Sequence, residues 1–295
     1  MPQPTSRPGA LGKFRDNLNE GKVIIGSGVV SLLAEWLRSS GRWTLGVVIS
    51  PKSIEEGGAD FIALYNSGLY RMHGLGSLAG LMPYGDANAI VCDMAQTVLP
   101  RVQSLPVIAG VCATDPFRDL SVFLPHLRSL GFIGIQNFPT VGLIDGNFRQ
   151  ALEDTGMTYD KEVGFEMIAL ARSLDLLTIP YVFTVEQAVD MTKAGADVIV
   201  VHFGLTSQGS IGAKNAMSIA DAAKLAQEVR DAVVGIQEDI IVLVHGGPIG
   251  TLEAFQDVMK DTKGIHGFLG ASTFERIPLD KTLPATVKEF KELEL

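Results

Sequence analysis

Eight short runs of contiguous apolar and branched residues, at 23–26, 61–65, 106–111, 132–136, 177–183, 198–203, 240–245 and 267–270, recur along the chain. Hydrophobicity that is continuous rather than alternating marks strands covered on both faces, the situation in a parallel sheet. Most of the intervening segments have helical periodicity. Residues 162–175 place Val163, Met167, Leu170, Ala171 and Leu174 on one face, and residues 251–262 do the same with Leu252, Phe255, Val258 and Met259. Thr184 and Thr251 stand where amino-terminal caps belong. Strand and helix alternating eight times predict an α/β fold, a (β/α)8 TIM barrel with its helices outside.

The 295 residues suit one such barrel, and 46% hydrophobic against 19% charged residues supplies one large core. No linker or charge block interrupts the chain after Phe14, so residues 14–295 read as a single domain behind a flexible tail, 1–13, with Pro2, Pro4 and Pro8. Twenty-four basic against 33 acidic residues give a charge of -9, which repels nucleic acid and anionic membranes. The first dozen residues lack the apolar stretch of a signal peptide, and no run reaches the roughly 18 apolar residues of a membrane span. Two cysteines, Cys92 and Cys112, form no disulfide framework, and a reducing, cytoplasmic location is expected.

Two stretches disturb the count. Residues 45–50 form a ninth strand-like run, and residues 29–42 carry Leu32, Leu33, Trp36 and Leu37 at helical spacing, so an insertion near the first strand is expected to form an external helix. The connection 66–105 is long enough to carry a functional excursion as well as a helix over 88–98, with Asp86 placed to cap or orient that helix.

In a parallel barrel the active site lies at the carboxyl ends of the strands. Those ends carry Asn66 and Ser67, Cys112 with Thr114 and Asp115, Gln136 and Asn137, Tyr181, His202, His245, and Ala271 with Ser272. His245-Gly246-Gly247-Pro248 and Gly270-Ala271-Ser272 follow the last two strands, where barrels commonly seat a phosphate or carboxylate on backbone amides; tight turns are the structural alternative. His202 and His245 end adjacent strands and are candidates for proton transfer. A divalent metal is a further possibility, held by His202, His245 or Asp115, although no His-x-His or Glu-x-x-His spacing supports it. His73, His126 and His266 read as structural. No strand end carries a Schiff-base lysine, Lys52 and Lys214 lie in loops, and no Gly-x-Ser-x-Gly elbow occurs. Cys112 reads as a small buried hydrophobe. Arg71 offers a fork for a carboxylate or phosphate, Asn88 starts the following helix, and residues 204–212, with Thr206, form a Gly-rich loop.

Taken together, Asn66-Ser67-Gly68, Gly85-Asp86-Ala87-Asn88, Ala109-Gly110-Val111-Cys112, Gln136-Asn137-Phe138-Pro139-Thr140, His202 with Gly204-Leu205-Thr206, His245-Gly246-Gly247-Pro248-Ile249, and Gly270-Ala271-Ser272 with Glu275-Arg276 resemble the phosphoenolpyruvate hydrolase-like family. That family is also described as TIM-barrel signal-transduction proteins and is similar to the carboxyl-terminal domain of a plant virus-resistance protein. The resemblance covers residues 22–278 and implies a homo-oligomeric barrel acting on small phosphoryl or phosphono keto acids. The chain departs from the family pattern in its insertion after Gly26-Ser27-Gly28 and in Leu69, where a polar residue is expected.

The resulting expectation is a hydrolase or lyase cleaving a carbon–carbon or carbon–phosphorus bond in a small keto acid. Asn66, Ser67, Arg71, Asn88, Thr206, Gly246, Gly247, Gly270, Ala271 and Ser272 are expected to bind this small anionic substrate. His202 or His245 is expected to move the proton, Asn137 to polarise a carbonyl, and Asp115 to orient a histidine. A non-catalytic regulatory barrel and an aldolase or isomerase on a phosphorylated metabolite are the alternatives.

Overall fold

The computed structural model describes residues 6–29, 49–163 and 167–292. Nine parallel strands form its sheet: β1 Ile24–Val29, β2 Phe61–Leu64, β3 Val107–Val111, β4 Gly134–Asn137, β5 Leu177–Thr178, β6 Tyr181–Val182, β7 Val198–His202, β8 Ile241–His245 and β9 Gly267–Gly270. Their order is β5-β4-β3-β2-β1-β9-β8-β7-β6, so the two edge strands are consecutive in the chain. Ile179 donates its amide to Ile135 on one side, while the Pro180 carbonyl accepts from Val200 on the other. One stretch, 177–182, therefore joins β4 to β7, and the chain itself closes the TIM barrel. All eight expected runs are staves of it.

The core has two layers. Ile24, Phe61, Ile108, Leu177, Val198, Leu243 and Leu269 fill the barrel, whereas Leu64, Ile135, Ile199, Val201, Val242 and Val244 face the surrounding helices. Outward and inward residues are both apolar, which is why the runs are continuous. The expected caps are present: Thr184 Oγ1 accepts from Gln187 ahead of a helix at Val185–Lys193, and Thr251 Oγ1 accepts from Ala254 ahead of one at Leu252–Lys260. Asp86 caps the helix Ala87–Val98 through the Ala89 amide.

The amino-terminal expectation is corrected. Residues 7–13, assigned to a flexible tail, begin helix α1, Arg7–Asn19, whose Ala10, Leu11 and Phe14 are buried in the interior cluster. Ser6 caps it through the Gly9 amide, and Pro8 occupies its first turn, where a missing N–H costs nothing. Phe14 packs on Phe61 with ring centroids 5.8 Å apart. Arg7 pairs with Asp197, and Asn17 with Asp60, both just ahead of strands. The helix thus covers the amino-terminal mouth of the barrel.

The ninth run is corrected in part, since Ile49 and Ser50 open helix α2, Ile49–Glu56, instead of extending a strand. Residues 45–48, and the expected insertion helix beyond Val29, lie outside the described residues. The helix expected over 162–175 is two short helices, Asp160–Val163 and Ile168–Ser173. Among the described residues, no helix is long and apolar enough to cross a membrane.

Candidate functional site

A small cavity of about 30 Å³ opens at the carboxyl ends of the strands, lined by Tyr65, Ser67, Arg71, Ser77, Phe138, Leu143, Tyr181, His202, Gly204, Leu205, Thr206, His245, Ala271 and Ser272. By volume it holds about two waters or the head of a small acid. Its base is an aromatic and imidazole cluster. The His202 and His245 rings lie 4.6 Å apart between centroids, and each lies 4.8 Å from Tyr181.

The parallel register pairs His202 directly with His245, so equal strand lengths bring the two rings to one level. Their hydrogen bonds fix different tautomers. The Gly204 amide donates to Nδ1 of His202 at 2.9 Å, leaving the proton on Nε2. Nδ1 of His245 donates to the Leu269 carbonyl at 2.5 Å, leaving the Nε2 lone pair open. Burial holds both below the ordinary histidine range: His202 well below it, with His245 adding to the effect, and His245 down to about 4. Both rings are neutral at pH 7, one a donor and the other an acceptor.

Arg71 belongs to helix α3, Asn66–Met72, which starts where β2 ends. Its Nη1 donates to Ser67 Oγ at 2.9 Å and to Ser77 Oγ at 3.1 Å. Its Nε donates to Oε2 of Glu275 at 2.6 Å, and Nη2 lies 2.5 Å from the same oxygen, both side chains being buried. Glu275 sits in the short helix Ser272–Glu275 after β9, with Oε1 unpartnered among the described residues. Gly28 makes room for that oxygen, since a Cβ there would lie 2.2 Å from it. Below, the Tyr65 hydroxyl donates to Gln136 Oε1 and lies 3.0 Å from the Tyr181 hydroxyl.

Of the expected site residues, Ser67, Arg71, Thr206, His202, His245, Ala271 and Ser272 line this cavity. Asn66 lies beside it, donating to the Gly80 carbonyl. The others are corrected. The Gly247 amide, expected to hold an anion, donates to Gly204 O at 2.8 Å. Gly246 and Gly247 have φ of +73° and +56°, and a Cβ on Gly247 would lie 2.6 Å from Phe203, so this pair is a tight turn. Gly270 ends β9 outside the cavity lining. Asn137 is spent on the Tyr181 backbone and on Glu162. Asn88 does the same for Cys112, donating to its carbonyl and accepting from its amide.

Asp115 does not reach the histidines. It lines a separate, largely apolar cleft of about 600 Å³ with Cys112 and Phe117. Its oxygens accept from Asn88, Arg118 and the Phe117 amide, which together hold the carboxylate below its usual range despite partial burial. His202, His245 and Asp115 consequently do not form a metal site, and among the described residues no other group of three His, Cys, Asp or Glu side chains does. The residue most underrated in the sequence is Glu275, 204 positions from its partner Arg71. Its signals were its place after the last strand and the Glu275-Arg276 pair among the motifs of the family resemblance.

A family model described as phosphoenolpyruvate hydrolase-like matches residues 10–293. The ToMV resistance protein Tm-1(GCR237) of Solanum lycopersicum is 52% identical over 285 residues, 97% of this chain. The chain spans only 35% of that relative's length. Among solved structures, a putative lyase/mutase from Burkholderia cenocepacia J2315 superposes with a TM-score of 0.58 at 16% identity, covering 96% of this chain and 90% of that one. A 2,3-dimethylmalate lyase, described as a member of the PEP mutase/isocitrate lyase superfamily, superposes at 0.53 and 14% identity, covering 97% and 86%. At these identities the structural likeness is one of fold.

Proposed function

The chain belongs to the phosphoenolpyruvate hydrolase-like family, and from that premise we propose that it is an enzyme of hydrolase or lyase type, cleaving a carbon–carbon or carbon–phosphorus bond beside the carbonyl of a small keto acid. One observation carries the reading: two buried, neutral imidazoles of opposite tautomer line one cavity with an arginine. Breaking such a bond leaves an electron pair that the carbonyl takes up as an enolate. The Nε2–H of His202 is the donor for that oxygen, while the Nε2 lone pair of His245 takes a proton either from water as it bonds to the departing carbon or phosphorus or from a substrate hydroxyl as its carbon becomes a carbonyl, and returns that proton to the enolate carbon. Both stay in these forms at pH 7 because burial disfavours protonation. Arg71, fixed by Ser67, Ser77 and Glu275, orients the substrate carboxylate, and Thr206 and Ser272 bound the mouth.

The reading brings with it a cytoplasmic homo-oligomer whose partner is a small anion rather than nucleic acid or membrane, all of which rests on the sequence. The second reading, a non-catalytic binding barrel, is favoured by the 52% identity to a protein described by its virus resistance. Incubating the protein with a panel of small keto acids and phosphonates, alongside His202→Asn and His245→Gln, separates the two. Turnover that depends on both histidines supports the enzyme, whereas no turnover by the unmodified protein across the panel supports the binding barrel.

A further inference from the structure

The helix Ile277–Lys291 follows the last strand, and in a barrel the helix after each strand packs on the outside of the sheet. This one does not. Ile277 is buried at 4% exposure, but every described side chain from Pro278 to Glu292 is exposed. Among them Leu279, Leu283 and Val287 recur every four residues, so an apolar stripe runs along the helix, and their exposure rises from 39% to 58% and 67% toward its end. A helix of 15 residues with Pro284 in its interior is marginal in water by itself. Its stripe needs a cover.

The seat for such a helix is open among the described residues. An apolar groove of about 300 Å³ lies on the helix-facing side of β1, lined by Ile25 of that strand, by Ser53, Ile54 and Ala59 in and after α2, and by Phe274 and Pro278 at the root of the carboxyl-terminal helix. We propose that this helix is an exchanged arm: it docks in the groove of a second copy of the chain, and that copy's arm docks in return. The occupant is a second copy because arm and groove form one continuous face. Phe274 and Pro278 belong to both, so a two-fold axis beside them lays each stripe over the other copy's groove, and the contact closes at two chains. The helix runs unbroken from Ile277 to Lys291 and leaves its own groove uncovered. The described groove lining holds no charged side chain and the stripe holds none, so docking strands no charge in an apolar contact.

Analytical ultracentrifugation at micromolar concentration should give the unmodified protein twice the 31.5 kDa mass of the chain, or an even multiple of it. Leu283→Asp/Val287→Asp charges two exposed positions and should lower that mass to half or less, with the far-ultraviolet circular dichroism unchanged. A short bismaleimide then identifies the groove. Coexpressed Ser53→Cys and Leu283→Cys chains should be joined in a covalent dimer that neither chain forms alone, above the background that the unmodified protein gives through Cys92 and Cys112. A monomeric unmodified protein overturns the proposal, and so does an assembly whose mass survives the double substitution. Linkage confined within chains carrying both cysteines would put each arm on its own barrel and overturn it as well. No linkage of either kind would leave the groove to another occupant, such as residues 30–48 of the same chain, and overturns it too. None of these measurements reads turnover, so the proposal stands or falls apart from the catalytic reading.

Discussion

The carboxamide of Asn137 grips the backbone of Tyr181 from both sides, its Oδ1 accepting the Tyr181 amide at 2.7 Å and its Nδ2 donating to the Tyr181 carbonyl at 3.2 Å. Nδ2 also donates to Glu162 at 2.6 Å. The grip sits where β4 has paired with β5 and the chain then crosses to β7, so a side chain supplies the rungs that the backbone ladder lacks. Asn137→Leu keeps the volume and removes these bonds. At roughly 1 kcal/mol for each bond, plus the cost of the stranded Tyr181 amide, since the Tyr159 hydroxyl still serves the carbonyl, it should destabilise the protein by about 3 kcal/mol in urea unfolding. A loss below about 1 kcal/mol would show that the barrel closes without this side chain.

Replacing His202 by Asn or His245 by Gln should lower turnover of the responsive keto acid by about 10²- to 10⁴-fold, with the far-ultraviolet circular dichroism unchanged. The rate should stay flat from pH 7 down to about 5, because His245 is protonated only near 4. An acid limb centred at the ordinary histidine value would mean that the base is another group.

Stability should respond to pH through opposing groups. The two histidines have lowered values in the fold, so the unfolded chain binds more protons as pH falls from 6.5 toward 4, and stability drops with acidification. Glu162 is raised by burial to about 7, so the folded chain holds that proton between 4.5 and 7, and stability drops as pH rises through this range. Glu162→Gln removes the second trend alone. Urea midpoints between pH 4.5 and 6.5 should then rise more steeply with pH than in the unmodified protein; an equal or shallower slope contradicts the assignment.

Gly28→Ala should act through Glu275. Its Cβ would meet Oε1 at 2.2 Å, forcing the carboxylate off Arg71 at a cost of about 1–3 kcal/mol. In Gly28→Ala/Glu275→Ala the clash with Oε1 is gone and only the milder contacts with Ala271 Cα and Cβ, at 3.1 and 3.2 Å, remain, so the double variant should be more stable than the sum of the two single losses allows. Simple additivity in urea unfolding would place the strain elsewhere.

The staves, the caps at Thr184 and Thr251 and the histidine pair were legible because each depends on local pattern or on position at a strand end. Asn88, Asn137 and Asp115 were misread for a common reason. Strand-end position puts a polar residue on the rim but does not say whether its amide faces a ligand or a neighbouring backbone. The partners of the two asparagines, Cys112 and Tyr181, lie 24 and 44 residues away. The Arg71–Glu275 pair, spanning 204 residues, was invisible for the same reason. Helix α1 was legible and was missed: Ser6 followed by Pro8, with Ala10, Leu11 and Phe14 on one face, is a helix start that prolines among polar residues disguised.

That helix also has a consequence for the order in which the chain matures. Arg7 and Arg15 find their partners at Asp197 and Asp239, 190 and 224 residues downstream. During synthesis helix α1 emerges before every strand it packs against, so its apolar face around Phe14 waits in solvent until most of the barrel exists. That waiting apolar face is the natural foothold for a chaperone.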